Sequence, residues 1–231
     1  SSAASTTFAS GFFANTSTSM MQLRNTANNA FLDLFTLAGG PAFPIDGTIN
    51  SVNIGKGANS IAGNTCFGED ALDGSVSGQN NTAIGKNALS ALTSGSQNVA
   101  IGAFSLDAVS TGSFNTAIGM SCLGTNTTGA SNVGVGRNAL LSNTIGSSNI
   151  GIGTNSLQSN TEADNNIGVG KNSLVVNTTG ANNVAVGTDT LDANTTASNN
   201  TAVGHNALTA NTTGASNVAV GESALDANTT A

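Results

Sequence analysis

The chain has 231 residues, of which only 7% are charged and 4% aromatic, with no Trp or Tyr and 29 Gly. A net charge of −7 with five Lys and Arg leaves no basic patch to follow a phosphate backbone, which excludes nucleic-acid binding, and no run nears the roughly 18 apolar residues of a membrane span. A globular core of this length leans on bulky aromatics, so the composition leaves low-complexity disorder or an internal repeat.

In chain order, residues 1–49 read as an attachment or capping segment. Residues 1–19 are rich in Ser, Thr and Ala and read as extended. Residues 1–10 carry neither the charged nor the apolar stretch of a signal peptide. Met20-Met21-Gln22-Leu23-Arg24 and Ala30-Phe31-Leu32-Asp33-Leu34-Phe35-Thr36-Leu37 flank an Asn-rich stretch. That pattern fits a hairpin, and a helix starting at Asn25 competes with it. Gly39-Gly40-Pro41 ends the element. Residues 50–63 read as an irregular first coil, because Gly55 and Gly68 are 13 residues apart and not 17.

From Asn64 onward a motif Asn-x-small-(Ile/Val)-Gly recurs every 17 residues, ten times, without an insertion. Its Asn stands at 64, 81, 98, 115, 132, 149, 166, 183, 200 and 217; a Leu keeps the same step from Leu72 to Leu225. Counting the Asn as position 1, position 3 is small, position 4 is Phe67 and then only Ile or Val, position 5 is Gly, and position 9 is Leu. Positions 12 to 15 settle into Asn-Thr-Thr-Gly, as in Asn177-Thr178-Thr179-Gly180. The tenth unit stops two residues short at Ala231, and the expectation is that the chain continues.

Positions 2 to 4 are a short β-branched run, which favours a strand. Gly at position 5 suits a corner, and Asn-Thr-Thr-Gly is turn chemistry. One unit cannot bury its own apolar residues, whereas stacked units can. The chain is therefore read as all-β: an elongated β-solenoid over 64–231, coils about 4.8 Å apart. The expected core is a ladder of Ile/Val and a ladder of Leu, with asparagines hydrogen-bonding along the axis. The residues singled out as ladder members are Asn132, Val135, Gly136, Leu140 and Asn143 in one coil, and Asn183, Val186, Gly187, Leu191 and Asn194 in another. Positions 6, 7 and 10 are expected to face outward. So thin a core leaves one apolar column wet, and a homo-oligomer would cover it; Ala and Gly at position 3 would admit another backbone closely. The first three units depart from the pattern, with Ser75, Leu92 and Val109 at position 12 and with Phe67, Phe104 and Phe114, so this end is expected to pack against the N-terminal segment or a sister chain.

Nothing in the chain builds a catalytic or metal site. Cys66 and Cys122 are three coils apart, about 14 Å, too far for a disulfide, and read as small buried thiols. One His, His205, at a variable surface position makes no triad. Asp73, Asp107, Asp192 and Asp226 share position 10 but never in adjacent coils. Glu162 and Asp164 read as a solvated acidic turn. Asn-x-Thr sequons at Asn126, Asn177, Asn194, Asn211 and Asn228 read as turn chemistry, since glycans on adjacent coils would collide. Neither an enzyme nor a cofactor is expected. The Thr columns at positions 13 and 14 raise ice binding as an alternative.

Asn98-Val99-Ala100-Ile101-Gly102 and Asn183-Val184-Ala185-Val186-Gly187 resemble the Ser-Val-Ala-Ile-Gly core of head repeats in trimeric autotransporter adhesins, a family that winds each chain into a left-handed β-roll and assembles three chains. Asn200-Thr201-Ala202-Val203-Gly204-His205-Asn206-Ala207-Leu208, closing on Asn211-Thr212-Thr213-Gly214, is similar to repeats in bacteriophage tail-fibre proteins. Leu37-Ala38-Gly39-Gly40-Pro41, with Gly47-Thr48-Ile49-Asn50, is similar to the segment preceding such repeats. The resemblance covers 37–231. It implies a virion appendage that spaces and presents a host-attachment surface: a homotrimer, joined to other tail proteins through its N-terminal segment and facing a host cell-surface receptor. A bacterial surface adhesin head is the alternative.

Overall fold

The computed structural model describes residues 52–230 throughout and, before them, the strands at 5–7, 12–15, 20–24, 31–36 and 47–49. The chain divides into two compact units, Ser1–Ile45 and Asp46–Ala231. The first unit holds an antiparallel sheet in the order β1 (Ser5–Thr7), β2 (Phe12–Asn15), β3 (Met20–Arg24), β4 (Phe31–Thr36). Strand β3 pairs with β4, Leu23 opposite Leu32, with an irregularity between Met21 and Gln22. Residues 25–30 and the Gly39-Gly40-Pro41 stop lie outside the described residues.

The second unit opens with β5 (Gly47–Ile49) and β6 (Val52–Gly55), an antiparallel hairpin. Strand β6 then pairs antiparallel with β7 (Thr65–Glu69), the first strand of the repeat. Residues 50–63 are therefore not a coil, as the spacing suggested: a coil would enter the sheet parallel, and this segment enters it reversed. It closes the stack instead. Gly57 lies against Leu72, where a Cβ would come within 2.8 Å of the Leu72 Cβ. Asn53 Nδ2 donates to the Ala71 carbonyl at 2.9 Å and Asn59 Nδ2 to the Val76 carbonyl at 3.0 Å. A first coil has no neighbour on one side, and a terminal cap must supply it.

From β7 on, each unit contributes one strand: β8 (Thr82–Ile84), β9 (Val99–Ile101), β10 (Thr116–Ile118), β11 (Val133–Val135), β12 (Ile150–Ile152), β13 (Ile167–Val169), β14 (Val184–Val186), β15 (Thr201–Val203) and β16 (Val218–Val220). The ten run parallel in sequence order, every pair in register at a step of 17, as in Val133 opposite Ile150 and Val184 opposite Thr201. This is the β-solenoid that the period implies.

The strand parity differs from the expectation. Position 3 points inward: Ala83, Ala100, Ala117, Ala185 and Ala202 are fully buried. Positions 2 and 4 point outward, and the Ile/Val column stands on the outer face; Val135 is half-buried and Val186 is 36% exposed. The reason is steric. Leu at position 9 crosses the thin interior and ends against position 3 of the next coil. A Cβ on Gly151 would already lie 3.2 Å from Leu140 Cγ, and one on Gly168 3.3 Å from Leu157 Cγ. No branched side chain fits there. The same packing gives Cys122 its space: a Cβ on Gly134 would collide with its sulfur.

The Leu column, Leu72 to Leu208, is fully buried, as expected. Each of these leucines takes a left-handed backbone, with φ from 48° to 54°. That conformation costs about 1–2 kcal/mol per L-residue, and full burial of a Leu contributes about 1.5–3 kcal/mol, so only a large apolar side chain offsets the strain of this corner. Positions 7 and 17 are left-handed too and mostly carry Asn, Asp or Ser, which tolerate it. Gly136 and Gly187 at position 5 have φ of 132° and 141°, and a Cβ on Gly136 would lie 2.6 Å from the Gly153 carbonyl oxygen. Both the dihedral and the close approach exclude any other residue.

Candidate functional surfaces

The asparagines form ladders inside the coil. In the position 1 column, Asn132 N donates to Asn115 Oδ1 at 3.0 Å, and its Nδ2 donates to the same oxygen at 3.2 Å and to the Gly146 carbonyl at 2.8 Å. Asn183 repeats this with Asn166 and Ala197. In the position 12 column, Asn143 Nδ2 donates to Asn126 Oδ1 at 3.0 Å and to the Gly146 carbonyl at 2.8 Å; Asn194 does the same with Asn177 and Ala197. Both columns thus converge on one carbonyl, at position 15. A buried amide is costly only when unpaired, and here both amide hydrogens are used. A third column, at the partly exposed position 7, runs Asn138 to Asn155 to Asn172 and ends on Asp189 Oδ1 at 2.8 Å.

The outer face of the parallel sheet carries positions 2 and 4 of ten strands. Those twenty residues include no charge; all are β-branched except Phe67, which is 55% exposed. At about 4.8 Å per strand and about 10 Å of width the stripe covers ~450 Å². Four of the twenty are threonines, Thr65, Thr82, Thr116 and Thr201, and largely apolar patches of about that size are often functional. Among the described residues the exposed aromatics Phe67, Phe104 and Phe114, and the exposed Met120, all lie in the first four coils. On that flank a notch of about 520 Å³ opens between coils 3 and 5, bounded by Phe104, Asp107, Gly124 and Leu141.

The other candidates stay apart. Cys66 and Cys122 are both buried thiols, and burial pushes Cys122 up to about 12. His205 Nδ1 lies 3.9 Å from Glu222 Oε1 on the exposed surface. Asp164 Oδ1 accepts the Ser147 N–H at 2.7 Å. Asp107 and Asp192 are each raised above the ordinary carboxylate range, chiefly by desolvation. Among the described residues no three His, Cys, Asp or Glu gather to hold a metal, and no helix is long and apolar enough to cross a membrane. The sequon residues Asn126, Asn177, Asn194 and Asn211 are fully buried in the position 12 ladder. At position 13 the hydroxyls are engaged: Thr127 Oγ1 donates to the Thr144 carbonyl at 3.0 Å and Thr144 Oγ1 to that of Thr161 at 3.1 Å. Comparison of the chain with protein-family models, curated proteins and solved structures finds no match.

Proposed function

We propose that this chain is a structural fibre segment, a rod of a phage or virus tail or related virion appendage, and that it works as a homotrimer. One observation supports the assembly most: the uncharged outer face of the sheet runs unbroken over ten coils. Position 3 packs inside its own coil and cannot admit a sister backbone, so the self-contact belongs to positions 2 and 4. The ~450 Å² of that stripe is short of the roughly 800 Å² per partner of a stable interface, so the flanking column at position 17 joins it. The mechanism is mechanical: parallel strands in strict register set length and stiffness, the N-terminal unit joins other tail proteins, and the outward columns present a surface to a host cell-surface receptor. The tail assignment itself rests on the resemblance of the repeat. A bacterial adhesin head shares this physics, and a membrane anchor encoded in the same gene would favour it. The ice-binding alternative rests on the Thr columns at positions 13 and 14, of which the position 13 hydroxyls donate to carbonyls of the stack.

Light scattering coupled to size exclusion tests the assembly. A particle of three 22.5 kDa chains is expected, falling to single chains when Val135→Lys and Val186→Lys are combined. A stable monomer of the unaltered chain would overturn it.

A further inference from the structure

The notch of coils 3 to 5 gathers two unusual residues, Phe104 and Gly124, and each has a cost or consequence of its own. Position 7 takes a left-handed backbone and elsewhere holds Asn, Asp or Ser; in coil 3 it holds Phe104, at φ 59°. A bulky aromatic is strained there. Phe104 is nevertheless 40% exposed, so the strain is not offset by full burial. It also puts no amide into the position 7 column at coil 3. Position 10 holds Gly124 in coil 4, flanked by Asp107 and Leu141 in the coils on either side. Gly124 lacks the positive φ that would require glycine. The missing side chain opens the notch.

The point where a Cβ on Gly124 would sit describes the floor. It lies 3.3 Å from Leu141 Cδ1, 3.4 Å from the Ser121 carbonyl oxygen and 3.5 Å from Asp107 Oδ1. Two acceptor oxygens and an apolar wall therefore surround one spot. The carboxylate has no cationic partner among the described residues. A neutral sugar would demand several paired donors and acceptors, and the apolar lining does not supply them. A cation on an apolar stem matches: its charge meets Asp107 and the ring of Phe104, and its methylenes meet Leu141. The net charge of −7 adds a general attraction for such a group.

We propose that this notch binds a primary ammonium on an alkyl stem, the end of a lysine side chain of a partner polypeptide. The occupancy of this site does not depend on the fibre reading.

Amide NMR of the full chain titrated with n-butylammonium tests it. Saturable shifts at Gly124, Phe104 and Asp107 with a dissociation constant of about 1 mM are expected. Asp107→Asn and Phe104→Asn should each weaken binding about tenfold, and Gly124→Leu should abolish it by filling the space. Phe104→Asn places at position 7 the residue the repeat prefers, so it should melt no lower than the parent, which separates lost binding from lost folding. No shift at 50-fold that concentration, or shifts that survive in all three variants, would overturn the proposal. Tighter binding of tetramethylammonium than of butylammonium would overturn the lysine assignment.

Discussion

Coils 2 and 3 place Leu92 and Val109 at position 12, where coils 4 to 9 place asparagine, and all eight side chains are fully buried on the same backbone course. In the later coils the position 15 carbonyl accepts two amides, as Gly129 does from Asn115 and Asn126, both at 2.9 Å. In the earlier coils the side-chain amide it accepts is the position 1 Asn, as Gly95 does from Asn81 at 3.0 Å, and the space beside it holds a Leu methyl. One interior site thus takes either chemistry. An apolar occupant stabilises alone, by burial, and is indifferent to its neighbours' polarity. An amide stabilises only as a link, because its oxygen and its second hydrogen must meet the coils above and below. The apolar stretch lies next to the cap and the amide stretch in the regular shaft, where every coil has the same neighbour and a ladder can run uninterrupted.

The position 9 Leu is common to both stretches, so it should be equally indispensable in each. Leu89→Asp and Leu174→Asp replace a fully buried side chain by an unpaired charge, and each should cost more than about 5 kcal/mol. Thermal melting followed by circular dichroism should show collapse of the transition for both. A normal melt for Leu174→Asp alone would mean that the amide ladders, and not the leucines, hold the later coils.

Position 12 should separate the two stretches. Asn160→Val removes the acceptor of Asn177 Nδ2 and the donor to Asn143 Oδ1, orphaning buried groups on both sides at about 2–4 kcal/mol. Val109→Asn is the opposite change at the edge of the ladder. Its Oδ1 would face the Nδ2 of Asn126 and its own Nδ2 the Gly112 carbonyl. Burying a new amide there should cost less than about 1 kcal/mol. Denaturant midpoints measure both, and equal costs would show that the ladder is not directional.

The period, the Leu column and the Asn ladders were legible in the sequence because each is an identity repeated at a fixed step. Strand parity was not. Branched residues at positions 2 and 4 normally mark the inward face of a strand, and only the length of Leu140 reaching toward Gly151 shows that the interior has no room for them. The left-handed leucines have no sequence signature, since intrinsic propensity argues against them. The cap was misread as a coil because a spacing of 13 residues carries no strand direction. The notch was half visible: Phe104 stood out as large, but its meeting with Asp107 and Gly124 depends on how three coils stack.

The smallest effect should fall at position 6, and there too the two stretches differ. Lys86 in coil 2 pairs with Glu69 at 3.0 Å, both about half exposed. Lys171 in coil 7 is exposed and forms no ion pair among the described residues. Lys171→Glu should change stability by less than about 0.5 kcal/mol at any salt. Lys86→Glu exchanges an attraction for a repulsion, but in high dielectric, so it should cost no more than about 1 kcal/mol at low salt and less once the Debye length falls below the pair's reach to other charges. Melting both variants at low and at high salt isolates the pair. A large, salt-independent loss for Lys171→Glu would place column 6 of the shaft inside a contact between chains, because only burial removes screening from a charge that faces water in the single rod.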